Sequence, residues 1–183
     1  MRRRAVRMNP TKYYSSRQEK MVASCLGWEV VSGSGARAFH PGDVRSEDFL
    51  GECKTFTKES DTIYCYNDVW SKISEEATAV MKKPILFVDN GTQEEKNTWC
   101  VVPQHFVDSV VGVSQLGKVV ADSLLKISKT RVSFSHVEMK YQFMMHKRVV
   151  GTDLIALPFE LAGVKVSLIS LKSLQTILEG SED

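Results

Sequence analysis

Hydrophobic residues recur along the chain with two different periods, and the alternation of these periods predicts alternating helices and strands. Helical spacing occurs at Met21, Val22, Cys25 and Leu26, and again over the segment from about Asn67 to Lys83. Strand-like patterns cover residues 28–31, 43–45, 49–56, 85–88 and 98–102. The resulting order, α-β-β-β-α-β-β, predicts an α/β domain in which helices flank a mixed central sheet.

Local signals suggest where these elements begin and end. The sequence Ser16-Arg17-Gln18-Glu19 matches a capping box, which predicts that the first helix begins at Ser16. Pro84 is expected to end the second helix. Farther along the chain, the pattern predicts helices over residues 103–111 and 117–127, a strand over 164–168, and a closing helix marked by Leu171, Leu174 and Leu178. Residues 130–150 are ambiguous, with 131–134 strand-like and 139–145 compatible with either state.

The charge of the chain is distributed unevenly. The 24 basic and 22 acidic residues give a net charge of +2, but seven basic residues and one acidic residue lie within positions 1–20. The predicted division is therefore a basic N-terminal arm (residues 1–14), a core (15–102) and a C-terminal extension (103–183) that packs on the core and serves dimerisation or DNA binding. Basic arms commonly contact polyanions, and a disordered tail is the alternative explanation.

Composition and cysteine usage narrow the class of protein. A hydrophobic content of 43% is enough for a folded core and excludes a disordered or collagen-like chain. No apolar stretch is long enough to cross a bilayer, and no apolar segment follows the basic N-terminus as in a signal peptide. The four cysteines are scattered without metal-binding spacing. We therefore expect a reduced, cytoplasmic protein that has no zinc site and no membrane partner.

The most informative chemistry lies in a predicted hairpin. Side chains two positions apart on a strand point to the same face, so Glu52 and Lys54 are expected to project side by side. Asp43 opens the preceding strand, which can bring its carboxylate beside Glu52. Two neighbouring carboxylates repel one another unless a hard cation such as Mg²⁺, or Mn²⁺ as its substitute, lies between them. A lysine beside such a metal can orient a water molecule for attack on phosphorus.

The tripeptide Glu-x-Lys alone carries little information. With 13 Glu and 15 Lys among 183 residues, about one such tripeptide is expected by chance. The chain contains three, namely Glu52/Lys54, Glu94/Lys96 and Glu138/Lys140. The first pair alone has an aspartate one short hairpin upstream, with strands on both sides and a helix after it. This context singles out Glu52 and Lys54, although a solvated hairpin face is the simpler alternative.

The order of these residues resembles a known superfamily. A helix bearing Glu19 is followed by a Ser-Gly-Ser-Gly loop (32–35), by Pro41-Gly42-Asp43 and by Glu52-Cys53-Lys54. This arrangement is similar to that of the PD-(D/E)xK nucleases, and most similar to the archaeal and phage-type Holliday junction resolvases. The resemblance covers roughly residues 16–89. It implies a restriction-endonuclease-like core, Mg²⁺-dependent hydrolysis of DNA phosphodiester bonds, and a homodimer acting on branched or duplex DNA.

The resemblance also implies roles for particular residues. Asp43 and Glu52 would bind the metal ion together with Glu19, although position N3 of a capping box explains Glu19 equally well. Lys54 would act on the nucleophilic water, so that the catalytic set becomes Asp43, Glu52, Lys54 and the loop residue Ser34. DNA contacts are expected from the arm and the loop, at Arg2, Arg3, Arg4, Arg7, Ser32 and Arg37.

Two other functions remain open at this stage. One is a nuclease of the same fold that cleaves linear duplex or single-stranded DNA. The other is a DNA-binding or assembly module that keeps the fold but has no catalytic activity. Serine-hydrolase and P-loop chemistry are disfavoured, because the chain contains neither a GxSxG motif nor a phosphate-binding P-loop motif.

Overall fold

The computed structural model describes residues 10–32, 41–110, 117–118 and 123–180. The helices in these ranges are α1 (Pro10–Leu26), α2 (Asn67–Ala79), α3 (Gln104–Val110), α4 (His136–Val150) and α5 (Leu171–Glu179). The strands are β1 (Glu29–Val30), β2 (Val44–Arg45), β3 (Phe49–Lys54), β4 (Thr62–Tyr66), β5 (Lys83–Asp89), β6 (Thr98–Pro103), β7 (Gly117–Lys118), β8 (Lys126–Ile127), β9 (Arg131–Ser135), β10 (Ile155–Leu161) and β11 (Val164–Ser170).

The large sheet of the described residues is mixed, as the sequence predicts. Its strand order is β1-β2-β3-β5-β6-β11-β10-β7. Strands β3 and β5 pair in parallel, as do β7 and β10, whereas the other neighbours are antiparallel. A second, antiparallel sheet has the order β4-β9-β8. The predicted α/β class is therefore confirmed, and the C-terminal strands β10 and β11 continue the same large sheet.

The large sheet separates two hydrophobic cores. Alternating side chains of β3 divide between them, since Phe49 and Cys53 belong to one cluster and Leu50 to the other. The first cluster includes residues of α1, α3 and α5, and the second includes residues of α2, α4 and the small sheet. Helices thus flank the large sheet on both faces. No helix in the described ranges has the length and apolar character needed to cross a membrane.

The predicted start of the second helix at Asn67 is confirmed, but the predicted start of the first helix and the predicted end of the second are wrong. Helix α1 begins at Pro10, six residues before the predicted capping box, because proline is well suited to the first helical turn. The last five residues of the predicted arm, 10–14, therefore belong to this helix. Helix α2 ends at Ala79, and Met81 adopts a left-handed φ of 57°. Pro84 lies inside β5, where it is in register with Leu50.

Other departures arise from long-range strand pairing. The helix predicted over residues 117–127 is wrong, because Gly117–Lys118 pairs with β10 and Lys126–Ile127 pairs with β9. The ambiguous segment 130–150 contains both β9 and α4. Strands β4 and β10 were not predicted. Strand β4 pairs with β9 and β7 pairs with β10 across long stretches of sequence, whereas β8 and β10 pair with the strands that directly follow them. Local periodicity reports neither kind of pairing.

Candidate active site

The β2–β3 hairpin fixes the position of Asp43. The backbone N–H of Asp43 donates to the carbonyl oxygen of Gly51 at 2.8 Å, and its Oδ2 accepts from the backbone N–H of Cys53 at 2.9 Å. The carboxylate is thereby held beside the strand segment that carries Glu52 and Lys54. Gly51 is required here, because a Cβ atom would lie 2.5 Å from the Phe87 ring and 2.7 Å from Val44.

Helix α2 holds the turn that precedes Asp43. Gly42 has a φ of +69°, a conformation that favours glycine, and its N–H donates to Oε2 of Glu76 at 3.1 Å. The same helix carries Lys72, whose Nζ lies 3.6 Å from Oε1 of Glu76. One face of α2 therefore supports both the hairpin and the charged groups beside it.

Glu52 lies between two ammonium groups. Its side chain is largely buried, with Oε1 located 2.5 Å from Nζ of Lys54 and Oε2 located 3.8 Å from Nζ of Lys72. Partial burial alone would lower the pKa of Lys54, but the hydrogen bond to Glu52 and the charges of Glu52 and Asp43 outweigh it and raise that pKa above its ordinary value. Lys54 is consequently a stable cation at neutral pH.

Helix α1 brings a third carboxylate to this place. Gln18 is fully buried and donates from Nε2 to the carbonyl oxygen of Lys54 at 3.1 Å, which fixes α1 against the end of β3. The pKa of the adjacent Glu19 is raised by burial and further by the negative charges of Asp43 and Glu52. The capping-box explanation of Glu19 is wrong, since the residue lies well inside a helix that begins at Pro10.

The same three carboxylates act on Cys53. Burial raises the pKa of this thiol well above its ordinary value, and the charges of Asp43, Glu19 and Glu52 raise it further. Cys53 is therefore a protonated packing residue and not a nucleophile. All four cysteines are free, and three are buried, whereas Cys25 is only partly covered.

The donor chemistry of the site suits a hard divalent cation, but the ligands are not arranged as a closed cage. Within the described ranges, no group of three or more His, Cys, Asp or Glu side chains is placed to hold a metal ion. Asp43 and Glu52 still bring two carboxylates to one end of the hairpin. Mg²⁺ commonly binds through one or two carboxylates and completes its octahedron with waters and substrate phosphates. The residues present therefore fit an open site of this kind.

The remaining predicted site residues are placed only in part. Ser32 is described and exposed at the start of the loop that follows β1. Ser34 and Arg37 lie outside the described residues, as do Arg2, Arg3, Arg4 and Arg7.

The structure adds three residues that sequence reasoning did not assign to the site. Gln18 fixes α1, Glu76 binds the backbone of Gly42, and Lys72 pairs with Glu52. The spacing of Lys72 and Glu76, four residues apart on a predicted helix, indicates that these two side chains can pair. Nothing in the sequence indicates that this pair meets Glu52, because the contact depends on how α2 packs on β3.

The other two Glu-x-Lys tripeptides lie in different surroundings. Nζ of Lys96 is 3.2 Å from Oε2 of Glu94, and both side chains are largely exposed. Lys140 donates to Oδ1 of Asn97 at 3.1 Å. Glu94 and Lys96 lie at the short helical turn before β6, and Glu138 and Lys140 lie in α4. Neither tripeptide therefore lies on a strand, and the exposed Glu94/Lys96 pair provides a matched control for Glu52 and Lys54.

Comparisons with known proteins identify no significantly similar protein. No protein-family model matches the chain, and neither a curated protein nor a solved structure is significantly similar to it. The geometry of the site and the order of its residues are therefore the basis for assigning a function.

Proposed function

We propose that the protein is a divalent-metal-dependent DNA endonuclease of the PD-(D/E)xK type. The observation that carries the proposal is the convergence of Asp43 and Glu52 with Lys54 on one hairpin, with Glu19 brought beside them by α1. The restriction-endonuclease-like character of the core is part of the same proposal. The proposal also includes action on branched DNA, such as a four-way junction, by a homodimer that presents two active sites to it.

In this mechanism Asp43 and Glu52 would hold Mg²⁺ in an open site, and Glu19 would contribute a neighbouring negative charge. When bound there, the cation would supply a water of lowered pKa and a positive charge opposite the phosphate. Attack of the water oxygen on phosphorus forms a new P–O bond. The bond between phosphorus and one ester oxygen breaks, and the departing oxygen takes up a proton. Water thus supplies both the hydroxyl group and the proton of the two products.

Lys54 contributes as a cation. Its ammonium group, 2.5 Å from Glu52, can donate hydrogen bonds to the attacking water or to a phosphate oxygen. Lys72 provides a second positive charge on the other side of Glu52. Both groups favour an anionic substrate at this place and stabilise the additional negative charge of the transition state.

A cleavage assay tests the proposal. A labelled four-way junction, a linear duplex and a single strand are incubated at equal salt with either Mg²⁺ or EDTA. We expect cleavage only with Mg²⁺, a preference for the junction, and a loss of at least about 100-fold in rate for Asp43→Asn and for Lys54→Ala.

Lys96→Ala is the matched control, because it disrupts the exposed Glu94/Lys96 pair and should keep wild-type activity. Full activity in Asp43→Asn or in Lys54→Ala would contradict the catalytic assignment. Preferred cleavage of linear duplex or of single strands would place the enzyme in the alternative substrate class. Tight DNA binding with no products at any metal concentration would instead identify a DNA-binding module without catalytic activity.

A further inference from the structure

The outer face of the small sheet carries a row of aromatic side chains. In β4, Ile63 and Cys65 are fully buried, whereas the alternate residues Tyr64 and Tyr66 point away from the core. The ring centroids of Tyr64 and Tyr66 are 5.9 Å apart, and those of Phe56 and Tyr64 are 6.1 Å apart. Tyr66 is 38% exposed. Three rings thus follow one another along a partly exposed surface, which we call the aromatic face (Phe56, Tyr64, Tyr66).

Arg131 adds a planar cation to the aromatic face. It lies opposite Tyr66 in the β4–β9 register, and its guanidinium carbon is 4.3 Å from the centroid of Tyr64 and 5.7 Å from that of Tyr66. Its Nη1 also donates to the hydroxyl oxygen of Tyr66 at 3.3 Å. These contacts hold the guanidinium group over the rings, where it can serve both as a stacking surface and as a phosphate ligand.

The charge around the aromatic face suits a phosphate backbone. Lys126 is exposed on β8 and lies opposite Ser133 of β9, and Ser133 in turn lies opposite Tyr64 of β4. Lys129 is exposed in the turn before β9. At the other end of the sheet the carboxylate of Asp61 accepts hydrogen bonds from Ser135 and from the backbone of Val137. That negative charge is directed at the N-terminus of α4. The end near Arg131 carries Lys126 and Lys129 together with one carboxylate, Asp68, in the first turn of α2.

The aromatic face adjoins the candidate active site. Phe56 lies two residues after Lys54, and Tyr66 immediately precedes α2, the helix that carries Lys72. Gln93 fixes the segment between Lys54 and Phe56, because its Nε2 donates to Oγ1 of Thr55 at 3.0 Å. A nucleic acid strand with a phosphate near Lys54 could therefore continue over Phe56 towards Tyr64 and Tyr66.

We infer that the aromatic face binds a segment of single-stranded DNA adjacent to the scissile phosphate. Unpaired bases stack on Tyr66 and on the guanidinium group of Arg131, while Arg131 and Lys126 contact the phosphates. Intact duplex is a poor occupant, because its bases already stack on one another and expose only their edges. The substrate class is thus DNA with unpaired nucleotides next to the cleavage point, as in a flap or an opened junction. This inference rests on the proposed function for the presence of DNA at Lys54.

Fluorescence anisotropy in EDTA tests the inference without any cleavage step. The probes are a fluorescein-labelled oligothymidylate and a labelled duplex of equal length. We expect Tyr66→Ala to weaken oligothymidylate binding by about 5- to 150-fold, the range for loss of one stacked base, with little change for duplex. Tyr141→Ala is the matched control, since Tyr141 is a 51% exposed tyrosine on α4 and does not belong to the aromatic face.

Two further variants separate stacking from a structural role of the ring. Tyr66→Phe keeps a stacking surface and should retain binding, and Arg131→Gln should weaken binding to oligothymidylate. Equal affinity of wild type and Tyr66→Ala for oligothymidylate, with both folded by thermal unfolding, would overturn the inference. An absence of Mg²⁺-dependent cleavage would contradict the proposed function instead, since the binding measurement contains no metal ion.

Discussion

At the scale of single residues, the decisive feature is how the charge of Glu52 is balanced. Its carboxylate is largely buried and has an ammonium group near each oxygen, Lys54 at 2.5 Å and Lys72 at 3.8 Å. A divalent cation bound to the same carboxylate would neutralise part of its negative charge, and both lysines would repel that cation. Lys72, which makes the longer contact, is the lysine whose removal disturbs the site least.

We therefore predict that Lys72→Gln tightens Mn²⁺ binding in the absence of DNA, by about tenfold for the loss of one positive charge near the ion. Electron paramagnetic resonance titration of free Mn²⁺ at neutral pH measures this affinity. Lys165→Gln, at an exposed position on β11, is the control and should leave the affinity unchanged. Equal or weaker binding by Lys72→Gln would contradict the placement of the metal ion at Glu52.

The residues of the candidate site differ in how far they can be predicted from the sequence. Strand alternation indicates that Glu52 and Lys54 share a face, and hairpin geometry suggests that Asp43 lies near them. The roles of Gln18 and Lys72 could not be predicted in this way. Each contacts the site through the packing of a whole helix on β3, and a single sequence gives the period of a helix but not its rotation about a distant strand.

At the scale of elements, the start of α4 shows how a neighbouring loop stabilises a helix. The first three N–H groups of this helix are all paired, with His136 donating to the carbonyl oxygen of Asp61, Val137 to Oδ1 of Asp61 and Glu138 to Oγ of Ser135. The hydrogen bonds from Val137 and Ser135 lower the pKa of Asp61 below its ordinary value of 3.8. Ionised Asp61 therefore stabilises the folded state.

The predicted pH dependence follows from this direction. The contribution of Asp61 is present above pH 3.8 and is lost as the pH falls through the lowered pKa. We expect Asp61→Asn to reduce the free energy of unfolding at pH 7 and low ionic strength by about 0.3–1 kcal/mol, the usual value for an exposed anion at a helix N-terminus. Urea unfolding at several pH values measures the difference between wild type and variant.

That difference should shrink towards zero as the pH falls through the lowered pKa of Asp61, because the carboxylate then becomes protonated and both side chains are neutral. Asp48→Asn, an exposed carboxylate in the β2–β3 turn, is the control and should have little effect at either pH. A difference between wild type and Asp61→Asn that stays constant with pH would mean that the charge of Asp61 does not stabilise α4.

Elements with strong local periodicity were the most predictable. The continuous apolar run of β5 and the closing helix α5 follow directly from their patterns. Strands β7 and β8 have only two residues each, and they are defined by pairing with β10, far along the chain, and with the next strand, β9. The prediction that Pro84 ends the second helix was wrong for a similar reason, because parallel pairing with β3 places Pro84 in a strand. Tertiary pairing, which local patterns do not contain, decided these segments.

At the scale of the whole molecule, the near-neutral net charge combines two unlike parts. Positions 1–20 carry an excess of six positive charges, and the rest of the chain carries 17 basic against 21 acidic residues. Part of that negative charge lies in the candidate site, at Asp43 and Glu52. A bound divalent cation would neutralise it, so a balanced chain is compatible with a polyanionic substrate.

The basic N-terminal segment makes its own prediction. The slope of log K against log salt for duplex DNA binding decreases in magnitude by ~0.9 for each phosphate contact that is lost. Replacing Arg2, Arg3 and Arg4 with glutamine should therefore lower the magnitude of this slope by up to ~2.7. Anisotropy titrations at a series of salt concentrations give this slope. An unchanged slope would show that these arginines do not contact DNA.

The location of the metal ion tests the central claim most directly. Crystals of the protein soaked in Mn²⁺ can be examined by anomalous diffraction, alongside crystals of Asp43→Asn treated in the same way. The account predicts an anomalous peak within about 2.5 Å of carboxylate oxygens of both Asp43 and Glu52, and its loss in Asp43→Asn. Manganese bound elsewhere, or a peak that persists unchanged in Asp43→Asn, would contradict the assignment of this hairpin as the metal-dependent active site.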